Sequence, residues 1–127
     1  MDRTTKTLFT GLVMCFVAGT TGCGGDCTLI ALPGIRVTIL DGSTETPFQG
    51  EVTVIATEGS YSETDSPPVR PGEPRIATLA FERPGTYRVE VQSPGYVTEV
   101  AAKVRVTRDD CHVRTVELTA RLERAGT

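Results

Sequence analysis

The sequence predicts an all-β protein: an antiparallel, seven-stranded β-sandwich that follows a cleaved N-terminal signal peptide. Three observations predict it. Apolar and polar residues alternate with a period of two in runs set about ten residues apart. Clusters of turn-forming residues separate those runs. No amphipathic helical period stands out after Cys27. A chain of 127 residues is one domain's worth of material, and 39% hydrophobic with 23% charged residues is the composition of a folded chain.

The strands follow in order. Ile35-Arg36-Val37-Thr38-Ile39 alternates cleanly, and Val52-Thr53-Val54-Ile55-Ala56 does so more loosely. Ala77, Leu79 and Phe81 fall on one face of a third segment, and Tyr87, Val89 and Val91 alternate with Arg88, Glu90 and Gln92 in the clearest strand. From Tyr96 to Val106, the pattern puts Val100, Ala102, Val104 and Val106 on one face and Glu99, Lys103 and Arg105 on the other. The last strand runs from about His112 to Leu122 with Val116, Leu118, Ala120 and Leu122 inward; Val113 is out of phase, which predicts a bulge near Arg114-Thr115. Turns are expected at Asp41-Gly42-Ser43, Glu58-Gly59-Ser60, Arg83-Pro84-Gly85, Ser93-Pro94-Gly95 and Arg108-Asp109-Asp110. Residues 67–74 carry four prolines, which lack an amide donor, so they read as a surface loop.

The N-terminus reads as an address. Arg3 and Lys6 precede the uncharged, mostly apolar run from Leu8 to Gly19, which is shorter than the roughly 20 residues a bilayer requires. A basic start, a short apolar middle and small residues after it make a secretory signal. The segment Thr20-Thr21-Gly22-Cys23 resembles the lipobox of bacterial lipoproteins. That resemblance implies a signal peptide over 1–22, a diacylglyceryl group on the Cys23 thiol and cleavage on its amino side. Gly24 and Gly25 then read as a short tether over 23–26, with the folded domain expected over 27–124. Two or three acyl chains would make the attachment effectively permanent, at ~0.8 kcal/mol per buried methylene. Gly24 after the cysteine points to the outer rather than the inner membrane, by resemblance to enterobacterial lipoproteins. Without lipidation the expectation is a secreted protein. Cys15 would leave with the signal and Cys23 would carry lipid, so Cys27 and Cys111 remain as an even pair in an oxidising compartment, expected to form a disulfide.

A second resemblance covers about residues 35–106. Val37-Thr38-Ile39-Leu40-Asp41, then Thr46-Pro47, Gly50 and Val52-Thr53-Val54, resembles the opening of carboxypeptidase regulatory-like domains. Pro84-Gly85-Thr86-Tyr87-Arg88-Val89-Glu90-Val91, followed by Pro94-Gly95-Tyr96, resembles their second half. The resemblance implies a transthyretin-like, seven-stranded sandwich of the same broad shape as an immunoglobulin-like one. Tyr96 is expected to tuck its ring under the adjoining sheet, with its hydroxyl near the rim.

Composition narrows the function. A formal charge of −3 lacks the basic surplus of a general nucleic-acid binder. One His and four Cys make a zinc site or a Ser-His-Asp apparatus hard to assemble, and no Gly-rich phosphate loop, G-x-S-x-G, H-E-x-x-H or Cys-x-x-Cys motif occurs. The hydrolase known on the transthyretin-like fold uses several His and a Tyr-Arg-Gly-Ser motif, and this sequence has one His and no such motif. His112 is expected on the surface, and Asp109-Asp110, like Asp41 with Glu45, reads as a charged turn rather than a cation site. The most unusual surface is the segment around Ser60–Thr64 and the Pro-rich loop behind it, where Tyr61, Glu63 and Arg70 are the candidate partner-binding residues. The expectation is therefore a non-catalytic, lipid-anchored interaction or structural module of the bacterial cell envelope, with no cofactor or metal. Its partners would be the membrane through the anchor and an envelope protein or glycan. The alternatives are a secreted carbohydrate-binding module, which the lack of Trp weakens, and a small hydrolase.

Overall fold

The structure, a computed structural model, describes residues 27–126. The expected signal peptide (1–22), the lipid-bearing Cys23 and most of the tether lie outside the described residues. Of the described residues, 27–30 belong to one unit and Ala31 onward to another. Seven strands are described: β1 Ile35–Asp41, β2 Thr53–Glu58, β3 Tyr61–Asp65, β4 Ile76–Leu79, β5 Gly85–Gln92, β6 Glu99–Val106 and β7 Val116–Leu122. They make a three-stranded sheet in the order β4-β1-β7 and a four-stranded sheet in the order β3-β2-β5-β6. The all-β sandwich is as the alternation dictates: Ile35, Val37 and Ile39 of β1 and Tyr87, Val89 and Val91 of β5 are all buried in one core, with Phe48 between the strands.

Five details differ from the sequence pattern. The sandwich is not wholly antiparallel, because β1 and β7 run parallel, in register from Ile35↔Val116 to Asp41↔Leu122. Parallel pairing needs a long crossover, and here the rest of the sandwich supplies it. Residues 61–65 are a strand: β3 forms a hairpin with β2 around Gly59, whose φ of +58° is the left-handed conformation that suits glycine. Its alternation is invisible in the sequence because the half-buried residues are Tyr61, Glu63 and Asp65.

Strand β6 changes face part-way. Tyr87 pairs with Val104 while Val89 pairs with Ala101, so one extra residue sits in β6, and Lys103 takes a φ of +60°. This bulge turns Val104 and Val106 inward and leaves Val100 and Ala102 outside. The bulge expected at Arg114-Thr115 is instead a break. Residues 107–115 form a turn closed by the Arg108↔Val113 bridge, and buried Val113 belongs to that turn. Phe81, expected inward with Ala77 and Leu79, lies past the end of β4 and is exposed.

Gly34 fixes how β1 enters the sandwich. Its amide reaches the carbonyls of Leu79 and Ala80, and its carbonyl accepts from Val116. A Cβ there would come within 2.7 Å of the Ala80 carbonyl oxygen, so only glycine lets the three segments meet.

Candidate functional site

Three polar clusters hold the connections between strands. The first centres on Glu82 in the β4–β5 connection. Its Oε2 accepts from the Leu32 amide at 2.9 Å and lies 2.5 Å from His112 Nδ1, and its Oε1 accepts from the Val113 amide at 3.2 Å. The Leu32 amide, and then the His112 ring, hold this carboxyl below the ordinary glutamate range. His112 is thus half-buried and engaged, not the outward surface residue that strand alternation predicts, because it lies in the turn after Asp109 rather than in a strand. Asp109 Oδ1 accepts the amides of Cys111 and His112, chiefly the latter, which lowers its pKa and shapes that turn. Cys27 and Cys111, the cysteines among the described residues, are both disulfide-bonded, as the expected pair requires.

The second cluster contains two of the candidate binding residues. Tyr61 and Glu63 lie on strand β3, at the edge of the four-stranded sheet. The Tyr61 hydroxyl donates to Glu63 Oε1 at 2.6 Å, a bond that, with burial, pushes the phenol up to about 12. The same oxygen accepts the Ala80 amide, and Asp65 accepts the Thr78 amide, each at 2.9 Å. Arg83 stacks on Tyr61, its guanidinium carbon 3.6 Å from the ring centre. It also donates to the Tyr87 hydroxyl and to Glu58, which raise its pKa. Arg70, the third candidate, sits apart, exposed in the Pro-rich loop, where its carbonyl accepts from the Glu73 amide.

The third cluster was not visible in the sequence. Arg75 is 5% exposed and donates to the carbonyls of Phe48, Gly50 and Pro67. Burial lowers its pKa. It ties the Pro-rich loop to the β1–β2 connection, so that loop is fastened at its base and exposed at its tip. An arginine in a run of prolines carries no pattern that separates a buried fastener from a surface charge.

Tyr96 is half-buried, as expected. Its ring meets Phe48 edge-on at 4.9 Å, and Arg124 lies 5.3 Å from its centre. A surface hollow of about 360 Å3 adjoins it, bounded by Asp41, Ser43 and Glu123. A smaller cleft of about 110 Å3 opens between the sheets, lined by Val37, Val89, Val91, Val100, Leu118 and Ala120. Among the described residues no group of three or more His, Cys, Asp and Glu side chains is placed to hold a metal ion. The carboxylates bind backbone amides and arginines, so what these clusters do chemically is hold loops in place. Compared with family models and with curated proteins, the sequence matches none.

Proposed function

We propose that this chain is a non-catalytic β-sandwich anchored by lipid on Cys23 to the bacterial cell envelope, the outer membrane before the inner, where it serves as an interaction or structural module. The observation that carries the reading is the apolar run from Leu8 to Gly19 followed by Thr20-Thr21-Gly22-Cys23, together with the oxidised state of Cys27 and Cys111. Paired oxidised cysteines suit a compartment outside the reducing cytosol. The carboxypeptidase regulatory-like resemblance supports the same reading, since such a domain contributes a rigid body rather than a reaction. The non-catalytic part is supported by how Glu82 is used: its two oxygens serve three donors, which leaves the Glu82–His112 pair committed to holding residues 32 and 113. A sugar-stacking role for Tyr96 is disfavoured by the phenylalanine edge and the arginine that already flank its ring.

The test is the N-terminus of the native product. Mass spectrometry of protein extracted from bacterial membranes should find an acylated Cys23 as first residue, and Cys23→Ala should move the protein out of the detergent phase. A product that begins at Met1 in the soluble fraction sinks the reading.

A further inference from the structure

The two long sides of the sandwich are finished differently. On the side where β3 faces β4, the outward amides of Thr78 and Ala80 are taken by Asp65 and Glu63, so two donors of that sheet edge are already occupied. On the other side, β6 is blunted by its bulge. Strand β7 is an edge strand with unbroken register along its whole length.

The hydrogen bonds of β7 define what it offers. The Val116 amide donates to Gly34, and the Leu122 carbonyl accepts from Gly42. In a parallel ladder this makes alternate residues, Val116, Leu118, Ala120 and Leu122, address β1. The backbone groups of Glu117, Thr119 and Arg121 therefore point away from the sheet. Past them the edge is closed: the Glu123 carbonyl accepts from Val97, and the Ala125 amide donates to Gly95. The open stretch is Glu117–Arg121, beside the apolar cleft that Leu118 and Ala120 help to line.

This stretch is complementary to itself. We infer that a second copy of the chain adds its own β7 here, antiparallel and centred on Thr119, joining two three-stranded sheets into one of six strands. That register places Thr119 against Thr119, and each Glu117 against the other copy's Arg121. Threonine pairs and opposite charges are favourable cross-strand neighbours. It is also the isologous arrangement a two-fold axis requires. Within the chain Arg36 lies 3.7 Å from Glu117 and Arg121 2.9 Å from Glu45, all on exposed side chains. Across the axis the four charges alternate, Arg36, Glu117, Arg121, Glu45. On the inner face Leu118 meets Ala120, which covers the mouth of the cleft. Five residues a side make a small contact, so the association is reversible rather than permanent. The inference goes beyond the envelope reading and does not use the anchor.

The test uses full-length protein in detergent. Glu117→Arg puts Arg against Arg at both charged pairs, and Arg121→Glu puts Glu against Glu. Each variant alone should weaken self-association about tenfold. Mixed together they restore both opposite-charge pairs, so native mass spectrometry should show the heterodimer dominating. The mixing also reports that each variant is folded. Thr119→Cys should cross-link to itself through a short bifunctional maleimide, while Ser62→Cys on β3 should not. A wild-type chain that stays monomeric at every concentration, charge variants that associate as tightly as wild type, a mixture without heterodimer, or a dimer in which Thr119→Cys fails to cross-link overturns the inference.

Discussion

Single carboxylates and one arginine do much of the positioning in this protein, and Glu82 is the clearest case. It holds the segment before β1 and the turn before β7 with one side chain. Its folded pKa lies below the ordinary value of 4.5, so its stabilising contribution is complete above the unfolded value and is lost as pH falls through the folded one. Glu82→Gln should therefore lower the melting temperature at neutral pH. The gap between wild type and variant should close as pH drops below about 4. Thermal melts of both proteins from neutral to acid pH check this, and a gap that widens on acidification contradicts it. The sequence marked the turn at Arg83-Pro84-Gly85, next to this glutamate, but not the glutamate's role. Its partners Leu32 and Val113 are distant in the chain, and no local pattern reports a contact over that separation. Arg75 was hidden for a similar reason: two of its three carbonyl partners, Phe48 and Gly50, come from the distant β1–β2 connection. Tyr61 was noticed as unusual, and its environment explains why, since its ring supports Arg83 and its hydroxyl is tied to Glu63.

At the scale of the element, period-two alternation located six of the seven strands because burial in a sandwich follows the pleat. Where the pleat is interrupted, the reading changes face. In β6 the uniform run Val100, Ala102, Val104, Val106 looks like one inward face, yet the extra residue at Ala102-Lys103 turns its first half outward. Sequence does not show this, because lysine is not a residue that announces a positive φ. Strand β7 was read in the right phase, and its start was misplaced because Val113 is buried by a turn rather than by a strand. The bulge makes a prediction. A β-branched side chain at a positive φ is strained, whereas glycine is at ease there. Lys103→Val should cost about 1–2 kcal/mol relative to Lys103→Gly, measured by urea denaturation. Equal midpoints for the two variants would mean that β6 pairs with β5 without the bulge.

For the whole molecule the question is what stabilises a small sandwich with seven Phe and Tyr in the full chain and no Trp. The core is built from valines, alanines and a few larger residues, with Tyr87 and Phe48 its largest fully buried side chains. Such a domain buries a modest share of its surface and gains from covalent closure. The cysteine reading made that closure legible, but only once Cys15 and Cys23 were assigned to signal and lipid; strand direction was not legible at all, since the parallel pairing of β1 with β7 joins the two ends of the fold. A Cys27–Cys111 bond closes a loop of 84 residues, which constrains the unfolded chain by roughly 4–5 kcal/mol on the chain-entropy account. The double variant Cys27→Ser/Cys111→Ser should lose stability of that order, and wild-type protein in excess reductant should match it, because both lose the same constraint. Reductant should leave the double variant unchanged. Urea titrations of the two proteins, with and without reductant, measure all of this. Thiols at both positions that alkylate fully in native, unreduced protein would show that the closure is not used, and the sandwich would then owe its stability to the core and to the carboxylate-held loops alone.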